Sequence, residues 1–209
     1  SPGQTLPLGV IDTGLPELAG DNGSRNNRLL LKALEQIQPD LDRLHQTFPA
    51  HRIGVVLGTS TSGIGDAERA FAEEQPDGLP AWYHYRMQEI GAPAQFLAEH
   101  LGLAGPATTI STACSSSAKA LASARRLLEC GVCDAVICGG VDTLCRLTVN
   151  GFGALESVSN QICNPMSRNR DGINIGEAAS LFILSRERGP VRLAGVGESS
   201  DAHHSSAPH

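Results

Sequence analysis

The run Thr108-Thr109-Ile110-Ser111-Thr112-Ala113-Cys114-Ser115-Ser116-Ser117-Ala118 constrains this chain most. Its β-branched residues stop at a cysteine, and an Ala/Leu-rich helical pattern starts directly afterwards, from Ser115 to Leu128. One thiol therefore falls between the C-terminal end of a strand and the N-terminus of a helix. Unpaired N–H groups and the positive end of the helix dipole meet at such a junction, and both favour an anion. The thiolate is the nucleophilic form of cysteine. Cys114 is thus the candidate nucleophile, suited to carrying an acyl group.

The rest of the chain supplies the frame. Arg52 to Gly58 and Asp134 to Gly140 are short apolar runs without alternation, the pattern of strands buried on both faces. Helical spacing covers Arg25 to Phe48, with Pro39 expected to break or kink it. Shorter helices are predicted at 66–74, 83–101 and 147–155, and Gly131 is placed to stop the helix that follows Cys114. Strands are predicted at 107–112, 178–184 and 191–197, with a turn over 186–190. Residues 1–23, 59–63 and 160–171 read as loops. The fold class is α/β, a mostly parallel sheet with helices on both faces.

A chain of 209 residues with 41% hydrophobic content can bury a sizeable core. With 4% aromatics and a net charge of −6 it lacks the stacking platforms and basic footprint of a nucleic-acid binder. No apolar run approaches the roughly 20 residues of a membrane span, and Ser1-Pro2-Gly3-Gln4 does not open a signal peptide. Of six cysteines several lie in apolar runs, which suggests reduced thiols in a cytoplasmic protein. Cys130 and Cys133 form a single CxxC, and without a second ligand pair no metal site is expected.

The segment Thr112-Ala113-Cys114-Ser115-Ser116 resembles the nucleophile motif of the β-ketoacyl-acyl-carrier-protein synthases, condensing enzymes of the thiolase-like superfamily. Further segments resemble that family in the same order: Arg52 to Gly58 with its following loop, Asp134 to Asp142, Gly151 to Leu155, Ser167 to Gly172 with Gly176-Glu177, and Gly197 to His204. The resemblance covers most of residues 50–204. It implies a mixed, mostly parallel sheet as one half of a five-layered αβαβα body. It also implies acylation of Cys114, then decarboxylative Claisen condensation with a malonyl group, in fatty acid or polyene/polyketide-type biosynthesis. Ala113 and Phe152 would border the acyl pocket. Thr61 lies in the 59–63 loop, where the family has the gate of that pocket. Glu177 is expected as a buried hydrogen-bonding residue, and Arg168, Arg170 and Asp171 as an ion-pair loop.

The family's two catalytic histidines come from a second half, in HGT- and GFGGHN-like motifs that this chain does not contain. Residues 1–209 thus read as the first half alone, trimmed at both ends and not expected to condense by itself. His203-His204 matches a segment that does not supply those histidines, and reads as solvent-facing or as a dimer contact. The implied partners are acyl carrier protein and a second copy in a homodimer; no cofactor, membrane or nucleic acid is implied. Docking an acidic carrier onto an acidic chain needs a local basic patch, with Lys119, Arg125, Arg126 and Arg146 available. Two other readings stay open: a non-catalytic partner of the chain-length-factor type, against which Cys114 argues, and a thiolase or starter-unit synthase using coenzyme A thioesters.

Overall fold

The structure, a computed structural model, describes residues 5–74 and 76–200. His203 and His204 lie outside the described residues. Strands β1 (Ile53–Gly58), β2 (Ala107–Ile110), β3 (Ala135–Asp142) and β4 (Ala178–Ser185) form one sheet in the order β2-β1-β3-β4. β1 runs parallel to both β2 and β3, and β4 is antiparallel to β3. The sheet is therefore mixed and mostly parallel.

Among the described residues six α-helices accompany it: α1 (Arg25–Leu34), α2 (Gln38–Thr47), α3 (Ile64–Ala72), α4 (Ala92–His100), α5 (Ser116–Glu129) and α6 (Arg146–Ala154). The alternation of side chains along β1 and β3 sends them to two unlike layers. Ile53, Val55, Leu57, Ile137 and Val141 face one side, where Leu29, Leu30 and Leu34 of α1, Leu41 and Leu44 of α2 and Leu97 of α4 complete a leucine-rich core. Val56, Val136 and Cys138 face the other, against Ala120, Ala124 and Leu128 of α5. Burial of each large aliphatic side chain stabilises the fold by about 1.5–3 kcal/mol, so the first layer carries most of the stability.

Local chemistry sets the ends of the elements. Ser24 caps α1 by accepting the Asn27 N–H at 3.2 Å. A short 3-10 segment, Glu35–Ile37, separates α1 from α2, and Pro39 lies in the first turn of α2, where a missing N–H costs nothing. The expected break is therefore present. α5 ends as predicted at Gly131, whose φ of +69° lets its N–H reach Leu128 O while the Val132 N–H reaches Leu127 O. At the start of β1 and β3, Arg52 grips both oxygens of Asp134 at 2.8 and 2.9 Å, and Arg186 adds a third bond at 2.7 Å. The Arg52 hydrogen bonds hold the Asp134 carboxyl below its usual range.

Two expectations are corrected. The helix over 83–101 is only α4: residues 85–88 form a 3-10 turn, and Pro93 in the first turn of α4 bars a helix running in from before it. The strand at 191–197 is absent; the segment lies alongside no strand of the sheet, and Val191 is 87% exposed. An apolar run becomes a strand only where a ladder partner takes its N–H and C=O groups.

Candidate active site

The site is built where β1 and β2 end and α5 begins. β2 stops at Ile110, and Ala113 turns the chain with φ +53°, a left-handed conformation that a side-chain-bearing residue adopts only at a cost of about 1 kcal/mol or more. Cys114 follows, exposed, just before Ser115 at the cap of α5. Three hydroxyls lock the turn. The Ser116 hydroxyl donates to Ala113 O at 2.6 Å and accepts the Thr112 N–H at 2.9 Å. Ser115 Oγ donates to Thr112 O at 2.8 Å, and Ser60 Oγ donates to Ala113 O at 3.1 Å. The serines after the cysteine thus tie the turn together.

Close backbone approach fixes the height of α5 above the sheet. A Cβ at Gly58 would lie 2.4 Å from the Ser116 carbonyl carbon, and one at Gly140 would lie 1.9 Å from Ser117 Oγ. Real Cβ contacts do not reach such distances, so the first turn of α5 rests on the ends of β1 and β3 because both are glycine. The result presents a thiol at the open end of a helix, with small neighbours that let a carbonyl carbon approach the sulfur.

Thr61 is buried and held by partners on all sides. Its N–H and hydroxyl both donate to Asp142 Oδ1, at 2.9 and 3.0 Å, and its hydroxyl accepts the Thr143 N–H at 3.0 Å. It shapes the loop beside the nucleophile turn. Phe152 lies half-buried on α6, a helix that buries none of its residues. A groove of about 340 Å³ beside α6 is lined by Leu8, Glu68, Leu144, Cys145 and Val149 among others, and by none of Cys114, Ala113, Thr61 or Phe152. The structure therefore brings Ala113, Cys114 and the Thr61 loop together, and leaves Phe152 apart from the groove.

Glu177 is buried and bonded, as the sequence predicts. It accepts two hydrogen bonds from the Arg25 guanidinium and the N–H groups of Ile11 (3.0 Å) and Leu144 (3.4 Å). Burial pushes its carboxyl up, and the hydrogen bonds from Arg25, Ile11 and Leu144 outweigh that and hold it below the ordinary value. Arg168, Arg170 and Asp171 are exposed, and their loop is held by local bonds such as Ser167 Oγ to Asn164 O at 2.7 Å; the ion pair of this region is Arg25–Glu177 instead. Cys133, Cys138 and Cys145 are buried, and burial pushes the Cys138 thiol up to about 12. Cys130 and Cys133 are free thiols, and among the described residues no group of His, Cys, Asp or Glu is arranged to hold a metal ion. Nor is any described helix long and apolar enough to cross a membrane.

Three of the four residues of the basic patch are already paired. Lys119 and Arg126 both pair with Glu198, and Arg125 pairs with Glu129. Asp142 and Ser60 have no individual role in the sequence pattern. Asp142 offers one signal, as the first charged residue to follow an apolar strand run.

Comparison with known proteins agrees with this geometry. Residues 21–189 match the family model described as the N-terminal domain of beta-ketoacyl synthase. Nodulation protein E of Rhizobium meliloti (strain 1021) is 32% identical over 171 residues, covering 76% of this chain and 42% of the relative. The 3-oxoacyl-[acyl-carrier-protein] synthase 2 of the same strain is 31% identical over 175 residues, covering 74% and 41%. A solved ketosynthase (ApeO) in complex with its chain length factor (ApeC), from Xenorhabdus doucetiae, aligns over all of this chain and 54% of the other, with 48% identity and a TM-score of 0.90. The chain spans less than half the length of the curated relatives it matches. With a family model covering most of its residues and the thiolase-like half-fold beneath it, this chain belongs to the β-ketoacyl synthases and carries their N-terminal domain.

Proposed function

We propose that this chain is the nucleophile-bearing half of a β-ketoacyl-acyl-carrier-protein synthase and that Cys114 carries the acyl group. The observation that supports this most is the exposed Cys114 on a left-handed turn at the head of α5, inside a domain of this family. The Cys114 thiolate attacks the thioester carbonyl of an acyl carrier, a new C–S bond forms, and the carrier thiol leaves. A malonyl group on a second carrier then loses CO₂, its carbanion equivalent attacks the Cys114 thioester, and the thiolate leaves as the C–C bond forms. Histidines for that second step belong, by the family resemblance, to a second half. The chain of 209 residues is therefore expected to accept a label or an acyl group without condensing.

Acyl carrier protein is the proposed donor, which the printed name of the synthase relative supports. A second ketosynthase-type chain is proposed across the outer edge of β2, a short strand paired on one side only, with exposed Ser111 to Ser115 beside it. The pairing of ApeO with its chain length factor supports such an assembly. Reduced cysteines suit a cytoplasmic setting. Fatty acid or polyene/polyketide-type chain extension is the proposed pathway class.

Labelling with iodoacetamide or cerulenin followed by peptide mass spectrometry tests the nucleophile. Selective modification of Cys114, abolished in Cys114→Ala, is expected; equal modification of Cys130, the other exposed thiol, would overturn the assignment. Condensation product formed by this chain alone from acyl- and malonyl-carrier protein would refute the division of labour.

A further inference from the structure

We infer that Asp142 and Ser60 are positioning residues for Cys114, a relay that holds the nucleophile turn in its left-handed form. This rests on the reading of Cys114 as the nucleophile. Asp142 closes β3, and its Oδ1 accepts four hydrogen bonds from the 59–61 loop. These come from Thr59 Oγ1 at 3.0 Å, Ser60 N at 2.6 Å, Thr61 N at 2.9 Å and Thr61 Oγ1 at 3.0 Å. Thr143, the next residue, adds two more ties, its N–H to Thr61 Oγ1 at 3.0 Å and its hydroxyl to Ser62 O at 3.1 Å. Loop 59–62 is thereby fixed to the end of β3, more than 80 residues away in sequence.

Two bonds run from the loop toward the nucleophile segment: the Thr59 N–H donates to Ile110 O at 3.1 Å, at the end of β2, and Ser60 reaches the turn itself. The Ser60 backbone is held by Asp142, and its hydroxyl donates to Ala113 O at 3.1 Å. That carbonyl also accepts Ser116 Oγ and the Ser116 N–H, so it is held from two directions, the sheet and the helix. An alanine in the left-handed region relaxes unless its surroundings over-determine it. Ser116 belongs to the helix that the turn leads into, and it moves with that helix. Ser60 is the brace that comes from the sheet. Without it the turn keeps the local bonds within 112–116, and Cys114 leaves its set place at the end of α5.

The test uses the 209-residue chain and the iodoacetamide rate at Cys114, with Cys130 as an internal reference. Ser60→Ala is expected to slow Cys114 alkylation at pH 7 about three-fold or more, on the scale of one lost hydrogen bond. Ser60→Thr, which keeps the hydroxyl, is expected to restore it. Asp142→Asn is expected to slow it similarly, and the double variant no further than the slower single one, because both act through one relay. Cys130 is expected to keep its rate in every variant. A Ser60→Ala rate equal to wild type, a strictly multiplicative double variant, or a Cys130 rate moving in step with Cys114 would each overturn the relay. Failure of the underlying reading looks different: wild-type Cys114 would then react no faster than Cys130, while the ratio of variant to wild type still reports on the brace.

Discussion

The two faces of the same strands are built on opposite principles. Toward α1, α2 and α4, β1 presents Ile53, Val55 and Leu57, and the core is filled by large side chains. Toward α5, β1 presents Gly54, Val56 and Gly58, and β3 ends that face with Gly140 and Asp142. One layer is held apart by leucine; the other is drawn together until backbone meets backbone. The leucine layer supplies stability and tolerates adjustment, since aliphatic cores accept changes that keep total volume. The glycine layer supplies position, and what it positions is the helix that starts after Cys114.

Each layer can be perturbed on its own. The largest effect is expected from Leu97→Ala, at a fully buried site of the leucine layer: a loss of about 2–5 kcal/mol in urea unfolding. The Cys114 alkylation rate of the folded fraction should stay at wild type. A fall in that rate would show that the two layers are not separable.

Gly58→Ala comes next, and inverts the pattern. Its Cβ meets the backbone of Ser116 and Ser117 at 2.4–2.5 Å, so the start of α5 must move. A cost of about 1–3 kcal/mol is expected, with a clear change in Cys114 labelling. Unchanged labelling would mean that α5 shifts as a body and carries its thiol along.

A smaller, pH-dependent effect belongs to the α1 side. Glu177 is held below its ordinary value, so its contribution is present above the unfolded carboxyl range and is lost as pH falls through the folded value. Asp66, whose carboxyl burial pushes up, works in the opposite sense and gains from protonation as pH falls. Between about pH 6 and pH 4 the urea midpoint of the wild type should fall relative to that of Glu177→Gln, which lacks only the first of these contributions. Equal slopes would remove Glu177 from the acid response.

The smallest effect is expected at Glu198. It bridges Lys119 and Arg126 on the solvent side of α5, where screening leaves little net stabilisation. Glu198→Gln should leave the unfolding midpoint unchanged. It should strengthen binding of an acidic carrier protein if the freed Lys119 and Arg126 take part in docking, and leave it unchanged if they do not.

Local signals made much of this legible from the sequence. The apolar runs at 53–58 and 135–140 are strands because burial on both faces demands continuous hydrophobicity. Pro39 and Gly131 act within their own turns. The thiol's place before α5 follows from the order of residues alone. What stayed hidden depends on partners distant in sequence. Asp142 gains its role from a loop more than 80 residues away, and Glu177 from Arg25, 152 residues away. Val191 to Gly197 reads as a strand by composition, but it pairs with neither β2 nor β4, the two edge strands of the sheet.

The buried sulfurs have a practical consequence. Cys145, at the head of α6, lines the groove beside that helix, whereas Cys133 and Cys138 sit in the small-residue layer between β3 and α5, both shielded while the chain is folded. Each of these two becomes available to a thiol reagent only when that layer opens. The molecule therefore carries a built-in clock: early modification reports chemistry at the surface, and late modification dates the opening of the interior, read by fragmentation of the single tryptic peptide 127–146 that holds Cys130, Cys133, Cys138 and Cys145.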